Sequence, residues 1–213
     1  MTAKLLPNSQ LYDTGYCVIF ARNVSAVELL SRVSREGIQP ISLSRMAAEA
    51  IRMLGEDEDA EDGAVPEADM EDLERAGILV NDGPLLRAGT HGNWSFVVEP
   101  EGPYLAGPGL LEAASRGTAA LCVQLSEAMA AWISYAEDGE VLSSFDPLFP
   151  DRDYGARPEI LESLTGYRSA IDSGDPAFAY ESALRKIQQE LRCAVPQEVD
   201  ADLLPAIRVH GGY

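Results

Sequence analysis

Histidine is nearly missing from this chain, at two in 213 residues, and most arrangements that carry familiar chemistry are missing with it. Nucleophilic catalysis needs a base within hydrogen-bond reach of the nucleophile. His91 falls in an expected turn and His210 in the tail, and no spacing ties either to Cys17. The three cysteines, Cys17, Cys122 and Cys193, are odd in number, far apart and form no CxxC pair. Two of them sit in apolar runs, which predicts small buried hydrophobes, reduced, in a cytoplasmic protein. No G-x-S-x-G, S-x-x-K, H-E-x-x-H or Walker sequence is present, which disfavours serine hydrolase, zinc protease and P-loop chemistry. No apolar run approaches the roughly 18 residues needed to cross a bilayer, and the N-terminus carries no signal-peptide pattern. No cofactor and no metal ligand set is expected. The bulk composition, 46% apolar and 24% charged, is that of a folded soluble chain.

Positive charge is also scarce: 16 Lys and Arg stand against 35 Asp and Glu, a net −19. Such a surface repels phosphate, so neither nucleic acid nor an anionic membrane is an expected partner. The imbalance is concentrated. Between Gly55 and Glu74 lie eleven carboxylates and no base: Glu56, Asp57, Glu58, Asp59, Glu61, Asp62, Glu67, Asp69, Glu71, Asp72 and Glu74. Outside that window 24 acids face 16 bases, an ordinary −8.

Along the chain, residues 16–21 read as a buried strand. Ser25 and Glu28 have the spacing of a capping box, opening a helix that carries Val27, Leu30 and Val33 and stops at Gly37. Residues 41–54 place Leu43, Met46, Ala47, Ala50, Ile51 and Leu54 at helical period. A mobile loop is expected from Gly55 to about Val65, then a short helix opened by Pro66, carrying Met70 and Leu73 and ended at Gly77. Residues 84–88 and 94–98 flank a Gly-containing turn. Residues 102–109 form a Gly/Pro-rich loop before a short helix at 110–116. Strands at 119–125, 132–136 and 140–145 follow, the last two joined at Asp138-Gly139. Pro158 and then Asp175-Pro176 open two helices, the second with Tyr180, Leu184, Ile187 and Leu191 in one stripe.

Hairpin connections imply an α+β fold: a mostly antiparallel sheet of about five to six strands with helices packed on one face. The expected organisation is an N-terminal arm at 1–14, an α+β domain at 15–170 and an acidic insertion at about 55–74. A C-terminal helix at 171–193 and an irregular tail at 194–213 complete it.

Several short pieces carry a resemblance: Gly15-Tyr16-Cys17 leading into Phe20-Ala21-Arg22, Trp94-Ser95-Phe96-Val97-Val98-Glu99 with Gly102, Tyr135 through Asp138-Gly139 to Phe145-Asp146-Pro147, and Arg157-Pro158. In that order, across roughly residues 15 to 165, they resemble an actinobacterial family of small cytoplasmic proteins of unknown function. The resemblance implies the architecture and a bacterial cytoplasmic origin, and it makes the acidic window an insertion. It supplies no catalytic residue.

The functional expectation is a non-enzymatic module that binds another, basic, protein through Glu56, Asp57, Glu58, Asp59, Glu61, Asp62, Asp69 and Asp72, an inhibitor or immunity-type role falling within that class. The alternatives are a small-molecule enzyme with a pocket assembled from Trp94, Glu99, Tyr135 and Asp146, and a structural subunit docking through the C-terminal helix. The 102–109 loop reads as a rigid connection rather than an anion site, because two prolines remove donors. Asp146, Asp151 and Asp153, with Arg152 and Arg157 among them, read as a surface loop rather than a cation cage.

Overall fold

In a computed structural model, the structure describes residues 15–34, 39–56, 65–80, 83–100, 102–126, 130–149 and 152–209. The chain begins with β1 (Gly15–Arg22), α1 (Ala26–Ser34), β2 (Ile41–Leu43), α2 (Arg45–Glu56) and α3 (Met70–Arg75). The hairpin of β3 (Leu85–His91) and β4 (Trp94–Pro100) is followed by α4 (Leu110–Ala114). Next is a meander of β5 (Ala119–Ser126), β6 (Ala131–Glu137) and β7 (Glu140–Phe145). Helices α5 (Ile160–Thr165), α6 (Tyr167–Asp172), α7 (Ala179–Leu191) and α8 (Gln197–Ala201) lead into β8 (Leu204–Arg208). The strands form one antiparallel sheet in the order β2-β8-β3-β4-β1-β5-β6-β7.

Strand β1 runs through the middle of the sheet, between β4 and β5. Seven of its eight residues are buried, so its continuous apolar run reflects cover on both sides rather than a half-wet strand. Tyr16, Val18 and Phe20 face Leu161 of α5, Tyr167 of α6 and Ala183, Leu184 and Ile187 of α7. Cys17, Ile19 and Ala21 face Leu29, Leu30 and Val33 of α1 and Leu110, Leu111 and Ala114 of α4. Helices therefore flank both faces, a correction to the one-sided arrangement expected from sequence. Helical periodicity shows which side of a helix is buried, but not which face of a sheet receives it.

The sheet has eight strands, not five to six, and both additions lie at one edge. Ile41-Ser42-Leu43 was expected to be the first turn of a helix, because Leu43 falls in step with the stripe that follows. It instead pairs with β8, and Ser44 then caps α2, its Oγ accepting from the Ala47 N–H at 3.1 Å. The tail expected to be irregular contributes α8 and β8, with β8 inserted between β2 and β3. Pro205 is tolerated there because pairing with β3 begins only at Ala206.

A buried ion pair ties this C-terminal segment to the sheet. Arg87 on β3 donates to Asp200 Oδ1 at 3.1 Å and to the carbonyls of Asp200, Asp202 and Leu43 at 2.7, 3.1 and 3.3 Å. Arg45 reaches the other oxygen of Asp200 at 3.2 Å. Both Arg87 and Asp200 are buried, so removing either would strand the other's polar groups away from water. A third, smaller core lies against the same edge of the sheet. There α2 and α3 pack Ala47, Ile51 and Leu73 with Leu43, Val65, Ile78 and Ala206.

Candidate functional site

The described part of the acidic window is built around α3. Asp69 caps it, its Oδ1 accepting from the Glu71 N–H at 2.8 Å, and Glu71 and Asp72 occupy the first turn, where the helix dipole favours negative charge. The helix thus starts four residues after the proline expected to open it. Its end is a Schellman closure on Gly77, at φ 68°: Ile78 N–H donates to the Leu73 carbonyl at 2.9 Å and Gly77 N–H to that of Glu74 at 3.0 Å. Leu73 and Ile78, the apolar pair of that motif, are both fully buried.

A single buried leucine therefore anchors a helix whose other faces meet solvent. Glu67, Asp69, Glu71, Asp72 and Glu74 are all exposed, and the one base among them, Arg75, is ion-paired to Asp72. Asp69 and Asp72 accordingly stand where a partner could reach them. Asp57, Glu58, Asp59, Glu61 and Asp62, and with them the loop expected at 55–65, lie outside the described residues apart from its ends, as does the side chain of Glu56.

Sequence reading missed the exposed apolar side chains on α2 and at the start of α3. Every methionine among the described residues is exposed: Met46 at 63%, Met53 at 50% and Met70 at 42%. Met46 falls within the apolar stripe from which the helix is expected. The helix buries Ala47 and Ile51, leaving Met46 and Met53 two turns apart along one flank.

Of the four residues expected to share a pocket, Trp94 and Tyr135 belong to the first core and Glu99 lies on the other face of the sheet. Trp94 and Glu99 project from opposite faces of β4, in the first and second cores' directions respectively. Trp94 is buried, its Nε1–H donating to the Leu191 carbonyl at 2.8 Å. Tyr135 is buried and donates to Glu137 Oε1 at 2.6 Å. Asp146 turns its own loop, Oδ1 accepting from the Leu148 N–H at 2.8 Å. His91 pairs with Trp94 at the end of the β3–β4 hairpin, whereas Cys17 pairs with Glu99 at the far end of β4. Asp151 and His210 lie outside the described residues.

Glu99 shows why the 102–109 loop is rigid. Its two oxygens accept from the N–H groups of Tyr104, at 3.0 Å, and Leu105, at 2.7 Å, at the head of a 3-10 turn. The donors at the head of the loop are thus taken by the chain's own carboxyl group. Burial pushes Glu99 up to about 7, against the pull of the two backbone donors. A Cβ at Gly102 would sit 1.9 Å from Glu99 Oε1, so any side chain there would push the carboxyl off its two donors.

Two further features lie on that side of the sheet. Cys17 and Cys122 approach to 3.5 Å between sulfurs, and that hydrogen bond together with burial raises the Cys17 thiol well above its ordinary value. Buried and protonated, such a thiol is a poor nucleophile. Between α1 and α4 runs a groove of about 640 Å³, lined among others by Glu28, Arg32, Leu110 and Arg116. Arg32 is occupied there, donating to the carbonyls of Ala114 and Arg116 at 2.8 and 2.9 Å and to Glu28 at 2.6 Å. None of the four expected pocket residues lines it. Among the described residues no group of three or more His, Cys, Asp or Glu side chains is placed to hold a metal ion, and no helix is long and apolar enough to cross a membrane.

Fold and site together define an α+β protein: an antiparallel sheet with helices on both faces and an acidic helix projecting at one edge. The chain belongs to the family described as "Family of unknown function (DUF6461)", whose model matches residues 7–167. Nothing among the curated proteins or the solved structures matches it. The matched segment stops short of α7, α8 and β8, so the strand that completes the sheet between β2 and β3 lies beyond it.

Proposed function

We propose that this chain works by binding, as a docking module whose acidic helix captures a basic protein in the cytoplasm. The observation that carries this reading is the construction of α3: Leu73 fixes it to the core while five carboxylates face outward around one already paired arginine. Anchored charge of one sign accelerates encounter with an oppositely charged partner and sets its orientation. The run of carboxylates from Glu56 to Asp62 adds to the same potential from the neighbouring sequence.

The test is affinity capture from the cell of origin, comparing the unaltered chain with Glu67→Gln, Glu71→Gln, Asp72→Asn and Glu74→Gln combined. Asp69 is left in place because it caps the helix. Basic proteins retained by the unaltered chain at low salt and lost by the variant support the reading. Retention of the same proteins by both contradicts it.

A further inference from the structure

The exposed methionines narrow the kind of partner. Apolar side chains of this size are ordinarily turned inward, and a flexible, polarisable thioether left at the surface adapts to many apolar contours. Met46 and Met53 line one flank of α2, and Met70 opens α3. These two helices share the third core, so they hold fixed positions at one edge of the sheet. The charge about α3 is negative. Glu67, Asp69, Glu71, Asp72 and Glu74 are exposed, while on α2 Arg52 is paired with Glu49 and also donates to Met53 Sδ at 3.7 Å, and Arg45 is paired with Asp200. Apolar contact sites within a negative field complement a helix with aliphatic or aromatic residues on one side and Lys or Arg on the other.

We propose that α2 and α3 receive a basic amphipathic helix of the partner protein, its apolar side on Met46, Met53 and Met70 and its cations toward the carboxylates of α3. The inference rests on the acidic-docking reading above and adds to it the shape of what docks. Charge alone would accept any basic segment; the methionines select one whose apolar residues recur at helical spacing.

The experiment uses the full chain with methyl-labelled methionine and two synthetic peptides of identical composition. One arranges Leu and Lys/Arg as an amphipathic helix, and the other scrambles them so that no apolar face forms. The expected result is at least tenfold tighter binding of the amphipathic peptide. Methyl shifts should concentrate at Met46, Met53 and Met70, with Met1 and Met129 as internal controls. Met46→Gln, Met53→Gln and Met70→Gln combined, which keep the helix-forming character of α2, should bring the two peptides to equal affinity. Equal binding of both peptides by the unaltered chain, without methyl shifts at the three positions, overturns this inference and leaves the acidic reading standing. Binding of neither peptide overturns both.

Discussion

Glu99 shows how one residue couples the sheet to the loop above it. Its carboxyl titrates near 7 in the folded chain and near 4.5 when unfolded, so the folded state holds the extra proton between those values. That stabilisation is fully present below about pH 4.5 and is lost as pH rises through 7. Glu99→Gln should cost on the order of 2 kcal/mol by turning an amide N–H toward a backbone donor. Denaturant midpoints should show the gap between the two proteins widest near pH 5 and narrower near pH 8. A gap independent of pH would remove Glu99 as the cause. Arg87 gives the second prediction at this scale. Arg87→Met leaves Asp200 buried with Arg45 as its remaining ionic partner, and should cost on the order of 3 kcal/mol in equilibrium unfolding.

At the scale of elements, the C-terminal α8 and β8 are structural members of the sheet. A chain ended at residue 195 leaves β2 without its partner and Leu85 and Leu86 of β3 unpaired, and should lose its cooperative unfolding transition by circular dichroism. An unchanged midpoint would mean that β8 contributes nothing. Helix α3 behaves differently because it hangs on one side chain. Leu73→Ala should cost about 2–4 kcal/mol locally, and hydrogen exchange should show it first at the Ile78 amide, which donates to the Leu73 carbonyl. Elements specified by local chemistry were legible in the sequence. Asp138 and Gly139, at φ 51° and 87°, occupy the positive angles that a two-residue hairpin demands, and Gly92 does the same between β3 and β4. The capping box formed by half: Ser25 Oγ accepts from the Glu28 N–H, but the Glu28 carboxylate turns to Arg32 instead. What the sequence hid was decided by distant contacts. Three residues are too few to show a strand period, Pro205 argues against a strand, and β2 and β8 are held by pairing with each other and with β3, by the third core and by Arg87 and Arg45 on Asp200. The acidic half of the candidate site was legible from composition, whereas its methionines were not, because Met46 keeps step with a buried stripe and still points outward.

At the scale of the whole molecule, the net charge of −19 divides into −8 outside the window from Gly55 to Glu74 and −11 within it. Leu73, the Asp69 cap and the Schellman closure do most to hold α3, and the four exposed carboxylates outside the cap add little to it. The fourfold replacement at Glu67, Glu71, Asp72 and Glu74 should accordingly change the unfolding midpoint little, by roughly 0.5 kcal/mol or less. Its effect should fall on association. The most direct measurement is the dissociation constant of the captured basic partner across a salt series, for the unaltered chain and the fourfold variant. The account predicts a Kd that rises steeply with salt for the unaltered chain and a weaker, flatter dependence for the variant, because exposed charges are screened within about 10 Å at 0.1 M. Parallel salt slopes with equal affinities would contradict it.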